Sequence, residues 1–275
     1  MSTNTHPPGT VTGYAHAKCY ASGDRNCSLK ISKEHFISAA LLKQIHLNNT
    51  AKVAGLKWQQ KEAFNVVPLS GLASSILCER HNNALSPLDA CMNSFSETIG
   101  EFDAALRSST SAEASEQRHF SGDDIERWMV KCLLGLTNSK NLHSTNLKPE
   151  CVDLLFANIT WPEGWGLYFS ASSAKPIHHS ASFLIETQVD PARGLVLAVN
   201  FLIRGVPFVL CLGKPNNPAS FGLFRPEAIV FRNGQFEKVL VLSWLGGPRS
   251  PVILLERAGA CDGPPPDWKE WEQNG

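Results

Sequence analysis

The sequence predicts an α+β fold, in which a cysteine- and histidine-rich N-terminal part is joined through helices to a C-terminal antiparallel β domain. Two observations predict this order. Apolar residues recur at helical spacing between residues 96 and 148, whereas short apolar runs with period-two alternation take over from residue 149. An apolar fraction of 43% in 275 residues is enough to form a folded core.

Composition divides the chain into five segments. Proline and glycine interrupt the polar start of the chain at Pro7, Pro8 and Gly9, and three consecutive prolines mark its end. The predicted boundaries are 1–16 for a flexible arm, 17–95 for a metal-binding part, 96–148 for a helical connector, 149–259 for an antiparallel β domain and 260–275 for a tail.

Four side chains in the second segment have the chemistry of a zinc site. Cys19 and Cys27 flank a Gly-Asp turn in KCYASGDRNC (18–27), and Cys78 and His81 form a C-x-x-H pair in ILCERHNNALSPLD (76–89). Zinc is held tetrahedrally by thiolates and imidazoles, and a spacing of three places the last two residues on one helix face. We predict a structural Zn²⁺ on these four residues. Unrelated buried thiols and a surface histidine are the alternative.

The later segments carry local signals for helices and hairpins. Ser121 is a candidate N-cap, and the helix after it has an apolar stripe. The residues of the stripe are Ile125, Trp128, Met129, Cys132, Leu133 and Leu136. Further on, Arg204-Gly205 and Asn233-Gly234 each separate two strand-like segments, which predicts tight hairpin turns.

Charge and hydropathy limit the possible classes of protein. The chain has 25 Lys and Arg residues and 25 Asp and Glu residues, so no global positive field indicates nucleic-acid binding. Residues 1–100 carry nine basic against six acidic residues, and an anionic ligand would therefore meet this part first. The N-terminus has no apolar signal region, and no apolar run reaches the roughly 18 residues that span a bilayer. We expect a soluble cytoplasmic protein with no membrane partner, whose cysteines are thiols or metal ligands.

Together with KISKEHFIS (30–38), the metal-binding segments resemble the HNH nucleases, the ββα-metal family, over about residues 17–95. The resemblance implies a two-stranded ribbon followed by a helix, with two zinc ligands before the ribbon and two at the start of the helix. Glu34-His35 matches the family's acidic-His pair at the end of the first strand. LCERHN (77–82) matches the segment that ends in the helix-borne His or Asn.

The resemblance also implies catalytic roles. His35 is the implied general base, and Glu34 and Asn82 are the implied catalytic ligands of a divalent ion, Mg²⁺ or Mn²⁺. A neutral imidazole near pH 7 suits a general base. The implied function is a metal-dependent endonuclease that hydrolyses phosphodiester bonds, with DNA favoured over RNA. A regulatory or targeting partner would then act through the β domain.

Several positions have more than one interpretation. Asn83 takes the place of Asn82 if the helix register shifts by one residue, and Ser74 or Ser75 stands where the family has its middle Asn. Asp89 shares a helix face with Asn82, so it either supports the catalytic site or touches the divalent ion. The alternative is a helix acid exposed to solvent. The alternative function is a non-catalytic, zinc-stabilised module that binds nucleic acid or protein.

Overall fold

The N-terminal part of the computed structural model is built on a ribbon that leads directly into a long helix. Strand β1 (Ile31–His35) pairs antiparallel with β4 (Ala73–Cys78), and α2 (Glu79–Arg107) begins at the residue after β4. The chain between the two strands forms α1 (Ala39–Ile45) and a small hairpin of two strands. The hairpin strands are β2 (Thr50–Val53) and β3 (Asn65–Pro68). The structure describes residues 2–45, 49–60, 65–107, 116–142, 146–170, 183–233, 236–245 and 253–256.

Two further helices follow along the chain, the first packed on α2 and the second packed on the first. These are α3 (Gly122–Asn138) and α4 (Glu150–Leu155). The predicted N-cap is confirmed, because the Ser121 hydroxyl accepts a hydrogen bond from the backbone N–H of Asp124. Every residue of the predicted apolar stripe is buried, which confirms that this face of α3 lies in the core.

A five-stranded antiparallel sheet forms the first half of the β region. Its strands lie in the order β10, β6, β9, β8, β7. Their bounds are β6 (Gly166–Ser170), β7 (Phe183–Asp190), β8 (Leu195–Ile203), β9 (Val206–Cys211) and β10 (Leu223–Phe224). The turn predicted between β8 and β9 is confirmed, since Arg204 and Gly205 have φ angles of 48° and 80° and Ile203 pairs with Val206.

The second sheet corrects the prediction of a purely antiparallel β domain. Its strand order is β13, β11, β12, β5, and both β11–β13 and β12–β5 are parallel pairs. The strands are β5 (Glu116–Ser121), β11 (Ala228–Asn233), β12 (Phe236–Ser243) and β13 (Ile253–Glu256). β5 comes from the segment predicted to be a helical connector. Its pairing is parallel because a strand that joins from a distant segment is not constrained by a hairpin.

The second predicted hairpin is also confirmed. β11 and β12 pair antiparallel, with Asn233 opposite Phe236, so only residues 234 and 235 connect them. These two residues lie outside the described part of the chain, as does the predicted tail. None of the helices in the described ranges combines the length and the apolar character that crossing a bilayer requires.

Helix α2 is the element around which both sheets pack. The ring centroids of Phe95 and Phe208 on β9 are 6.0 Å apart, and those of Phe102 and Phe231 on β11 are also 6.0 Å apart. One cluster of buried apolar residues includes Cys19 near the N-terminus and Leu242 on β12. The predicted division into five segments stays a prediction.

The start of the predicted flexible arm contacts α3. The backbone N–H of Thr3 donates to the Asp124 carboxylate over 2.9 Å, and the Arg127 guanidinium donates to the Thr3 carbonyl over 2.7 Å. Arg127 also donates to the hydroxyl of Thr5, which is buried. Polar side chains of α3 therefore anchor the arm ahead of Pro7 and Gly9.

A buried ion pair joins α3 to the five-stranded sheet. Arg225 Nη2 lies 2.8 Å from Glu126 Oε2, and the same oxygen accepts the backbone N–H of Leu167 on β6. Burial raises the pKa of Glu126 to about 7, against the opposing effect of the Arg225 charge. Removing one member of such a pair leaves an uncompensated buried group.

We expect Arg225→Met to lower the free energy of unfolding by about 3–5 kcal/mol, because Glu126 loses its cation. Urea denaturation followed by circular dichroism measures the change. The control is Arg232→Met, which breaks the half-exposed pair with Glu237 and should cost less than about 1 kcal/mol. Equal losses from the two variants would contradict the assignment.

Candidate functional site

The four predicted zinc ligands lie together in the folded chain. Their ligand atoms are all within 4.8 Å of one another, and all four side chains are buried. His81 Nδ1 is 3.1 Å from the sulfur of Cys78, 3.5 Å from that of Cys19 and 3.8 Å from that of Cys27. A tetrahedral ion with zinc's bond lengths separates its ligands by roughly 3.5 Å. The cluster can therefore hold a metal ion such as zinc.

Separate elements position the ligands. Cys19 and Cys27 lie on either side of a short turn, which is attached to β4 by a hydrogen bond from the Tyr20 N–H to the Ile76 carbonyl. Cys78 is the last residue of β4, and His81 follows in the first turn of α2. A metal ion bound to these four residues would therefore join the N-terminal loop to the junction of strand and helix.

Asp24 is a member of this centre that the sequence analysis missed. Its Oδ2 lies 2.8 Å from Nε2 of His81, the ring nitrogen that points away from the sulfur atoms. A carboxylate in this position fixes the ring orientation and leaves Nδ1 facing the ion. The acidic residue between the two cysteines was the available signal, but it was interpreted only as part of a turn.

The thiol groups differ in how easily they ionise. Burial opposes ionisation of Cys78, yet hydrogen bonds from the backbone N–H groups of His81 and Ser28 and from the His81 ring lower its pKa to about 7. Burial raises the pKa of Cys19 and of Cys27. Because zinc binds thiolates, binding must release protons from the latter two residues.

A second polar cluster lies where the ribbon, α2 and α3 meet. Lys131 Nζ of α3 is 2.5 Å from Glu34 Oε1 and 2.9 Å from each carboxylate oxygen of Asp89. Trp128 Nε1 donates to Asp89 Oδ1 over 3.0 Å. These contacts rule out the interpretation of Asp89 as a solvated helix acid. Lys131 was not predicted, because a lysine in a helix is usually exposed to solvent.

Charge and burial shape the protonation of this cluster. Burial would lower the pKa of Lys131, but the charges of Glu34 and Asp89 raise it above its usual value. Burial raises the pKa of Glu34, and the Lys131 charge opposes this effect. The pKa of His35 is lowered, first by burial and then by the Lys131 charge, and both effects favour the uncharged imidazole.

The remaining predicted residues lie on the ribbon and the first turn of α2. Ser74 is opposite Glu34 in the ribbon, and Ala73 is opposite His35. Asn82 is partly exposed next to His81, whereas Asn83 is exposed. Within the described ranges, the Cys19, Cys27, Cys78 and His81 group is the one set of three or more His, Cys, Asp and Glu side chains close enough to share an ion. The catalytic roles of Glu34, His35 and Asn82 stay predictions.

Comparisons of the sequence with models of known families and with curated proteins, and of the fold with solved structures, find no match.

We expect Cys78→Ser to lose bound zinc and to unfold the N-terminal part, because the binding energy of a structural zinc is folding energy. Metal analysis of the purified protein and circular dichroism measure the two effects. Cys91→Ser is the control, since Cys91 lies on α2 outside the cluster and its loss should leave the zinc content unchanged. A zinc-loaded, folded Cys78→Ser variant would overturn the ligand assignment.

Asp24→Asn should retain the fold and weaken zinc binding by about 10- to 100-fold, because the His81 ring loses the carboxylate that orients it. Competition with a chromophoric chelator measures the affinity. An affinity equal to that of the wild-type protein would show that Asp24 does not support the metal centre.

Proposed function

We propose that the chain is a zinc-stabilised endonuclease of the HNH type, with His35 as the general base and nucleic acid as its substrate. One observation carries the proposal. The Glu34-His35 pair ends the first strand of a ribbon whose second strand leads into a helix that carries both His81 and Asn82. A metal ion on the cluster would hold the end of β4, which pairs with β1, and the first turn of α2, so it would support both elements on which the proposed catalytic residues lie.

In the proposed reaction, the uncharged His35 imidazole accepts a proton from the attacking water. The water oxygen forms a bond to phosphorus, the bond from phosphorus to the leaving sugar oxygen breaks, and that oxygen takes a proton from solvent. A side chain that removes this proton accelerates such a step by about 10²- to 10⁴-fold. His35 is half-buried at the end of β1, so it is accessible from one side of the ribbon.

Glu34 and Asn82 belong to the proposal as ligands of a divalent ion, Mg²⁺ or Mn²⁺. Their carboxylate and amide oxygens are the hard donors that these ions prefer, and the contact of Glu34 with Lys131 shows that this carboxylate already faces a cation. When bound, such an ion stabilises negative charge on the leaving oxygen. DNA is the favoured substrate, the cytoplasm the proposed location, and the C-terminal sheets the proposed contact for a regulatory or targeting partner.

The second candidate function is a non-catalytic zinc module that binds nucleic acid or protein. The observation that favours it is the burial of Glu34 in an ion pair, since this pairing gives the carboxylate a role in packing. The two candidates differ at His35, which only the nuclease requires as a base.

We expect wild-type protein to nick plasmid DNA in the presence of Mg²⁺ or Mn²⁺, and His35→Ala to be slower by at least about 100-fold because water loses its proton acceptor. Agarose gel electrophoresis of the supercoiled, nicked and linear forms measures both rates. The control is His119→Ala, which removes an exposed histidine on β5 and should cleave at the wild-type rate.

All three proteins should contain equal amounts of zinc. Cleavage by His35→Ala at the wild-type rate would contradict the assignment of the base. A folded, zinc-loaded wild-type protein that cleaves neither DNA nor RNA would favour the non-catalytic module.

A further inference from the structure

Lys131 makes the contacts of a bound cation. Its side chain is 2% exposed, and three carboxylate oxygens surround its nitrogen at 2.5, 2.9 and 2.9 Å. The two contacts with Asp89 are hydrogen bonds, whereas the contact with Glu34 is an ion pair in which the buried Oε1 accepts no hydrogen bond. The oxygens come from Glu34 on β1 and Asp89 on α2, two elements that the ion pairs hold against α3.

Buried charges of this kind are not a general requirement for a stable core. Replacing a buried set of charges with apolar side chains of similar volume is often neutral or stabilising. Here, three charged groups lie together beside His35, and Trp128 donates a further hydrogen bond to Asp89. The cluster thus fixes two carboxylates next to the proposed catalytic histidine.

We propose that Glu34 and Asp89 form a cation site of which the Lys131 ammonium is the resident cation, and that a divalent ion binds these carboxylates only by displacing Lys131. A second cation beside the ammonium would be repelled strongly at such short distances. This inference deepens the proposed function, because it adds Asp89 to the ion ligands and makes Lys131 the residue that sets ion affinity. It rests on the proposed function only for the choice of ion.

Removing the ammonium should therefore tighten ion binding. We expect Lys131→Met, which keeps most of the apolar stem, to bind Mn²⁺ with a dissociation constant at least about tenfold lower than that of wild type. Electron paramagnetic resonance of free Mn²⁺ measures binding to the zinc-loaded, full-length protein. Lys131→Arg is the matched control, because it keeps the positive charge and should bind Mn²⁺ as weakly as wild type.

The gain must also depend on the two carboxylates. Adding Asp89→Asn or Glu34→Gln to Lys131→Met should abolish the gain in Mn²⁺ affinity. Equal Mn²⁺ affinity of wild type and Lys131→Met would overturn the proposal. A gain in Mn²⁺ affinity that persists in both double variants would also overturn it, and so would an equal gain in Lys131→Arg.

A measurement on the wild-type protein covers the case in which Lys131→Met does not fold. Mn²⁺ should displace Lys131 from its carboxylates, so Lys131 should react several-fold faster with acetic anhydride in the presence of Mn²⁺ than in its absence. Peptide mass spectrometry quantifies the labelling. Lys238 is the internal control, since it is also buried and paired, with Glu116 at 3.0 Å, but lies outside the site. Unchanged labelling of Lys131 at saturating Mn²⁺ would overturn the proposal.

Both measurements follow ion binding and neither requires cleavage. A protein that cleaves neither DNA nor RNA, but whose Lys131→Met variant gains Mn²⁺ affinity, would contradict the nuclease and support the cation site. A protein that nicks plasmid, but whose Lys131→Met variant does not gain Mn²⁺ affinity, would support the nuclease and contradict the cation site.

Discussion

The junction of β4 and α2 is the constraint on which the rest of the structure depends. Cys78 ends the strand, and the Glu79 N–H that opens the helix donates to the Lys30 carbonyl beside β1. Within one turn, His81 ties the same helix to the N-terminal loop through the metal cluster. A helix of 29 residues extends roughly 40 Å from this point, and its buried phenylalanines reach both sheets. The position of the ribbon relative to the sheets therefore follows from how α2 begins.

Local chemistry made much of the structure predictable. The Cys/His cluster could be predicted because few residue types bind zinc. The C-x-x-H spacing at the junction of a strand and a helix also places both of its side chains on one side of the helix start. The N-cap of α3, its apolar stripe and both hairpins were predictable for the same reason, since each depends on residues close together in the chain. The part of the fold class that is confirmed, a mixture of helices and strands with a Cys/His cluster that could bind a metal, follows from these local signals, which report the period of each segment.

Contacts between distant segments could not be predicted in this way. Asp24 and His81 are 57 residues apart, and Lys131 is 42 residues from Asp89, so no spacing rule connects them. Lys131 also lies in a helix whose neighbouring positions are apolar, where a sequence pattern cannot show that the ammonium is buried. The parallel pairing of β5 escaped prediction because a polar stretch between helices carries no sign of a partner so far along the chain. Ion pairs between distant segments and the order of strands in the second sheet are therefore the main features that the sequence analysis did not predict.

The position of β5 also bears on the order in which the chain can fold as it is synthesised. This strand continues directly into α3, but its partner strand lies 122 residues later, as the contact of Glu116 with Lys238 shows. The four residues of the Cys/His cluster leave the ribosome before residue 82, whereas the sheet that contains β5 is complete only after β13 has emerged. An unpaired strand edge is a template for association with other chains. The nascent protein is thus most exposed to aggregation after β5 has been synthesised and before its partner strand arrives, an interval in which a chaperone would have the most to protect.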